Sequence, residues 1–132
     1  MWAIIGGSGF EKFEEFKTIE EMPRMTPFGE TSIGFKKVEL DGKPLFFIPR
    51  HGTNHDRLPT EVNYRANIYA LKNMGVTKLL TFSAVGSLQD KLAPGDLVVP
   101  TQFIDRTKGL RSSTFCGENI VGHVSLAKPV TE

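Results

Sequence analysis

A chain of 132 residues, 39% of them hydrophobic, suits one ordinary domain with its own core or half of a shared one. Sixteen Lys and Arg against fifteen Asp and Glu leave a formal net charge of +1, so no global field draws the chain to nucleic acid or an anionic membrane, and any anion site has to be local. One cysteine, Cys116, excludes an internal disulfide, no apolar run approaches the roughly 20 residues that cross a bilayer, and Met1-Trp2-Ala3-Ile4-Ile5 carries no basic leader, which together predict a soluble, cytoplasmic protein.

Trp2 to Ile5 is short, apolar and partly β-branched and stops at Gly6, the pattern of a buried strand entering a tight turn. Glu11 to Glu21 reads as a solvated, acidic connection anchored by Phe10, Phe13 and Phe16. Pro23, Pro27 and Gly29 forbid a long helix. Ile33 to Leu40 then forms a strand that turns at Asp41-Gly42, a strong hairpin signal, and returns as Leu45 to Ile48. That strand ends in Pro49-Arg50-His51-Gly52, so two charged or polar side chains stand at a strand end. Thr60 to Met74 is predicted as the long helix, capped by Thr60, with Val62, Ala66, Ile68, Tyr69 and Leu71 on its apolar face and Gly75 as its stop. Lys78 to Ser83 reads as a second buried strand, followed by the small-residue turn Ala84-Val85-Gly86-Ser87. Strand, helix, strand is the form of a crossover between parallel neighbours, which makes α/β the fold class. Pro94-Gly95-Asp96 introduces Leu97 to Pro100, and after Arg106 the composition is that of loops. No internal repeat is evident.

Three segments carry possible chemistry. In Gly6-Gly7-Ser8-Gly9 the glycines let backbone N–H groups turn toward an anion and Ser8 adds a hydroxyl donor, although many such turns are only turns. The dinucleotide fingerprint is not met, because Lys12 stands where its third glycine should be. Arg50 to Arg57 packs two arginines and two of the three histidines into eight residues. An arginine fork clamps two phosphate oxygens and an adjacent imidazole can add a hydrogen bond, whereas a solvated loop is the plain alternative. His51 and His55, four apart, would suit a metal on a helix, but Gly52 and the turn-like composition argue against that helix, so no metal is expected. Ser83 to Ser87 adds hydroxyls at another strand end. Convergence of three strand ends on one oxyanion favours phosphate binding over the plain readings.

IIGGSGF, IPRHGTNHDRLPTEVNYRANIYALKNMGV, SAVGSLQDKLAPGDLVVPTQFIDRT and VGHVSLAKPV together resemble the N-terminal half of the methylthioadenosine phosphorylases, in the trimeric purine nucleoside phosphorylase family. The resemblance runs in register along nearly the whole chain. It implies that residues 1–132 are the N-terminal portion of a single nucleoside phosphorylase domain, a mixed β-sheet with a strand-helix-strand crossover that lacks its C-terminal half. It implies phosphorolysis of a purine nucleoside, 5′-methylthioadenosine first and a 6-oxopurine nucleoside as the alternative, with inorganic phosphate as co-substrate and no metal or organic cofactor. Ser8, Arg50 and His51 match the family's phosphate ligands, and Ser83 and Ala84 the turn that touches phosphate and ribose. His55 matches a residue near the sugar, and His123 one that reaches the neighbouring subunit's sugar 5′ end. The implied partners are the nucleoside, phosphate, further copies in a trimer or dimer of trimers, and a separate C-terminal half. A catalytically inactive phosphate-binding or assembly fragment is the competing expectation, and a phosphate-binding α/β protein outside nucleoside chemistry a third. No catalytic residue is assigned in this half, because leaving-group activation at the purine needs a donor that it does not supply.

Overall fold

The computed structural model describes residues 1–10, 13–107, 109, 114–117 and 119–122, and divides into two compact units, Met1–Ala84 and Val85–Glu132. The first unit is built on a five-stranded mixed sheet. In chain order its strands are β1 (Trp2–Gly6), β2 (Lys17–Glu21), β5 (Lys36–Leu40), β6 (Lys43–Pro49) and β7 (Lys78–Thr81). Two further short strands, β3 (Met25–Thr26) and β4 (Gly29–Glu30), pair only with each other, and the helix α1 (Tyr64–Asn73) lies between β6 and β7 in the chain.

The sheet order is β2-β5-β6-β1-β7. β1 runs parallel to both its neighbours, with Gly6 opposite Pro49 of β6 and Ile5 opposite Thr81 of β7. β5 runs antiparallel to both β2 and β6. The sheet is therefore mixed, as expected, but the crossover from β6 through α1 to β7 passes over β1 instead of joining adjacent strands. The hairpin between β5 and β6 turns where Asp41-Gly42 places it, with positive φ at both residues (49° and 74°), the backbone that the twist of two-residue hairpins requires.

Apolar alternation along β1 and β6 splits the core between the two faces. Ala3, Ile5, Phe46 and Ile48 pack with Phe35 and with Ala70 and Leu71 of α1, while Leu45 and Phe47 pack with Val38 and Phe16 on the opposite face. β6 is buried on both faces from Leu45 onward, which is why it reads as a continuous apolar run. The three-residue spacing of Phe10, Phe13 and Phe16 makes a ladder of rings: successive centroids are 5.7 and 4.8 Å apart, and Phe16 reaches the Phe47 ring at 4.9 Å.

Three expectations are corrected. The acidic connection contains β2, an exposed edge strand held by backbone pairing to β5. β7 is exposed at all four positions instead of buried, because it forms the other edge of the sheet here. The helix begins four residues later than read. Asn63 caps it, its Oδ1 accepting from the Ala66 N–H at 3.1 Å, and its buried residues are Ala66, Asn67, Ala70 and Leu71, with Ile68 exposed. Asn63 also donates from Nδ2 to the Phe28 carbonyl at 2.7 Å, tying α1 to the β3–β4 hairpin. We expect Asn63→Ala to cost about 0.5–2 kcal/mol, read as a lowered urea midpoint at unchanged slope.

In the second unit the described residues form turns. Ser87 closes one through its hydroxyl to Gln89, Asp96 accepts from the Ala93 N–H at 2.8 Å, and Gly117 and Ile120 form an isolated bridge. Leu88, Leu97, Val99 and Ile104 are largely exposed. No helix among the described residues is long and apolar enough to cross a membrane.

Candidate functional site

Because β1, β6 and β7 are parallel, their carboxyl ends share one edge of the sheet. The glycine turn leaves β1, Arg50 and His51 leave β6, and Phe82-Ser83 leave β7, all at that edge. The strand pairing is prolonged there by the backbone: Arg50 N–H donates to the Gly6 carbonyl at 2.8 Å and Phe82 N–H to the Ile5 carbonyl at 3.0 Å. Such an edge, outside the carboxyl ends of strands, is where open α/β sheets offer ligand sites.

Arg50, half-buried, donates from Nη1 to the Ser83 hydroxyl at 2.7 Å and from Nε to His51 Nε2 at 3.3 Å. His51 Nδ1 lies 3.0 Å from the Arg57 carbonyl. A carbonyl only accepts, so this contact places the His51 proton on Nδ1 and leaves Nε2 as the acceptor from Arg50. In this arrangement His51 orients Arg50, and its donor nitrogen faces the protein. His55 Nε2 lies 3.2 Å from the Ser8 hydroxyl, and the His51 and His55 rings are nearly parallel, 8° apart at a centroid distance of 6.0 Å. One cluster thus brings together Ser8, Arg50, His51, His55 and Ser83. Ala84 follows Ser83 and is exposed, and His123 lies outside the described residues.

Among the described residues Arg50 has no carboxylate within ion-pair distance. Among the described residues its side-chain partners are a hydroxyl and an imidazole, an arrangement that welcomes an anion and repels a cation. No group of three or more His, Cys, Asp or Glu side chains suited to a metal occurs among the described residues. The site is an open sheet edge. Two apolar surface hollows, one beside Ile68, Leu71 and Leu79 and the other beside Trp2, Leu40 and Leu80, contain none of these residues.

Two glycines make the geometry possible. A Cβ on Gly7 would stand 2.9 Å from the Phe82 carbonyl oxygen and 3.0 Å from Arg50 Nη2, so only glycine lets the turn come this close to both. Gly52 has φ +83°, and a Cβ there would overlap Asp56 Oδ1. Gly52→Ala is expected to destabilise the chain by about 1–3 kcal/mol, measured by urea unfolding.

Two buried polar residues were not apparent as site elements from sequence. Ser32, 2% exposed, donates its hydroxyl to the Arg50 carbonyl at 2.8 Å, and Asn67, 1% exposed, bonds both the N–H and the hydroxyl of Ser32. The only signal for Asn67 was a polar residue between Ala66 and Ala70 on the face that packs inward.

A profile of the phosphorylase superfamily matches residues 2–131. The S-methyl-5′-thioadenosine phosphorylase of Geobacter sulfurreducens is 48% identical over 127 residues, covering 96% of this chain and 44% of the relative. That of Thermosynechococcus vestitus is 52% identical with the same coverage. Among solved structures, methylthioadenosine phosphorylase from Schistosoma mansoni in complex with adenine superposes with a TM-score of 0.86 at 43% identity, covering 97% of this chain and 48% of that one. A methylthioadenosine phosphorylase from an antarctic soil metagenomic library gives 0.78 at 47% identity, covering 97% and 44%. The chain spans a little under half the length of these relatives. A sheet edge built around an arginine with no carboxylate partner among the described residues, a superfamily profile that runs along almost every residue, and relatives about half identical over that span lead to one assignment: this chain belongs to the phosphorylase superfamily.

Proposed function

We propose that this chain forms the phosphate-holding part of a purine nucleoside phosphorylase that cleaves 5′-methylthioadenosine to adenine and 5-methylthioribose 1-phosphate. The observation that carries the proposal is Arg50, charged, half-buried and without a carboxylate partner among the described residues, at an edge where Ser8, Ser83 and the glycine turn add donors. The names of the relatives support the choice of nucleoside.

In the reaction an oxygen of inorganic phosphate forms a bond to the sugar's anomeric carbon while the bond from that carbon to the purine nitrogen breaks, and the electron pair leaves with the base. As the bond stretches, the sugar becomes oxocarbenium-like. A phosphate dianion fixed beside that carbon stabilises the developing charge and is already positioned to attack. Arg50 holds the phosphate. Ser83, whose oxygen accepts from Arg50, keeps its own proton to donate, and Ser8 approaches from the glycine turn. His51 fixes the guanidinium and stands with Ala84 among the groups around the phosphate, His55 serves the sugar, and His123 reaches toward the neighbouring subunit's sugar 5′ end. Phosphate is the co-substrate and no metal or organic cofactor takes part. Protonation of the departing base falls to a complementary C-terminal half, and the complete enzyme is a cytoplasmic homo-oligomer, a trimer or a dimer of trimers.

The exposed Leu88, Leu97, Val99 and Ile104 favour a second reading, an assembly fragment without turnover. Adenine release from methylthioadenosine, with and without phosphate and with and without an added C-terminal half from a relative, separates the two. Phosphate-dependent release in the reconstituted mixture supports the phosphorylase. A demonstrated complex that releases no adenine, or that prefers inosine, sinks the assignment.

A further inference from the structure

We infer that Asn67 and Ser32 are positioning residues for the phosphate site, fixing the Arg50 main chain so that its guanidinium is preset at the sheet edge. The inference rests on the phosphate role proposed for Arg50. Asn67 Oδ1 accepts from the Ser32 N–H at 2.9 Å, which fixes the amide's orientation and makes Nδ2 the donor to Ser32 Oγ at 3.1 Å. A hydroxyl has one proton. With Nδ2 occupying its acceptor side, Ser32 Oγ is directed to donate that proton to the Arg50 carbonyl, at 2.8 Å.

The Arg50 residue is thereby held from both sides, its N–H on the Gly6 carbonyl and its C=O on Ser32. The relay joins α1 to the end of β6, elements that supply the inner core and the edge of the site. Asn67 and Ser32 are almost wholly buried, at 1% and 2% exposure, and Asn67 takes a place on a helix face whose other buried members are Ala66, Ala70 and Leu71. An apolar residue there would avoid the desolvation of an amide. What the amide supplies is direction, which matters because a displacement of about 1 Å in a positioning contact can cost a large factor in a preorganised site.

The test uses the whole chain and inorganic phosphate as the probe, with the Kd and the Arg50 Nε resonance followed by NMR at a temperature well below every variant's unfolding midpoint. Ser32→Ala is expected to raise the phosphate Kd about tenfold and to shift the Arg50 Nε resonance before phosphate is added. Ser32→Thr, which restores a hydroxyl, should stay within about twofold of the unaltered chain. Val38→Ala, a cavity in the core of the opposite sheet face, serves as the control for general loss of stability. A Ser32→Ala chain that binds phosphate as Val38→Ala does overturns the inference. Should Ser32→Ala not fold, Ser32→Cys, similar in volume and a weaker donor, is judged by the same comparison. Arg50→Ala separates the two layers: if it leaves phosphate affinity unchanged, the phosphate role itself fails, whereas a loss with Arg50→Ala and none with the Ser32 variants overturns the positioning role alone.

Discussion

Arg50→Ala is expected to weaken phosphate binding far more than Lys91→Ala, by about 2–5 kcal/mol where the bound phosphate and the guanidinium exclude water from between them, the size associated with removing one partner of a desolvated, hydrogen-bonded charge pair. The Arg50 Nη1 already meets Ser83, so its loss removes both the charge and the anchor of a second donor. Lys91 is exposed and lies in the other unit, where its removal changes only net charge. Calorimetric or NMR titration with phosphate at fixed ionic strength checks the difference, which corresponds to roughly thirtyfold or more in Kd. Equal affinities for the two variants would remove Arg50 from the site. Arg50→Lys is expected to recover only part of the loss, because an ammonium keeps the charge but not the planar fork that meets Ser83 and His51 together.

Phe47→Ala is expected to cost about 3–5 kcal/mol of folding stability, a large share of the roughly 5–15 kcal/mol of a typical domain. The ring is 1% exposed, packs against Phe16 at 4.9 Å and carries Lys36 Nζ over its face at 5.8 Å. It also lies beneath the start of the glycine turn, since a Cβ on Gly6 would meet Phe47 Cε2 at 3.0 Å. Truncation therefore opens a cavity in the smaller of the two core clusters and loosens support under one wall of the site. Guanidinium unfolding followed by tryptophan fluorescence at Trp2 gives the number. A loss below about 1 kcal/mol would mean that the cluster collapses around the gap.

The parts of the fold that were legible in the sequence are those where side-chain chemistry and backbone agree. Trp2 to Ile5 ending at glycine became β1, Asp41-Gly42 became the hairpin, and Arg50 and His51 stand where the apolar run of β6 runs out. β2 escaped notice because Lys17, Thr18, Ile19, Glu20 and Glu21 are all exposed, so its pairing to β5 rests on backbone hydrogen bonds that leave no apolar alternation. The helix start was misplaced because Thr60 and Asn63 are both competent caps. Tertiary contact decides between them, since Asn63 alone also reaches Phe28. Burial of β7 was overestimated from composition, because apolar residues on an edge strand read like those of a central one.

The candidate site was legible as separate strand ends; its internal wiring was not. Sequence placed Ser8, Arg50, His51 and Ser83 at neighbouring ends, and the parallel pairing of β1 with β6 and β7 brings them to one edge. The family resemblance implies His51 as a phosphate ligand; in the structure its Nδ1 faces the Arg57 carbonyl and its Nε2 faces Arg50. A ring's orientation depends on partners brought by the fold of the Gly52–Arg57 loop, and spacing along the chain does not encode it. Ser32 and Asn67 were invisible for a related reason: they are 35 residues apart and act on a main-chain carbonyl.

Oxygen-18-labelled inorganic phosphate identifies the nucleophile, with methylthioadenosine as the nucleoside and this chain reconstituted with a C-terminal half. If phosphate held by Arg50 is the nucleophile, every released adenine is matched by a sugar 1-phosphate whose bridging oxygen carries the label, and Arg50→Ala suppresses both products together. Free, unphosphorylated sugar formed at a rate independent of phosphate would contradict the account, since water would then be the nucleophile and the arginine edge would not hold the reacting group.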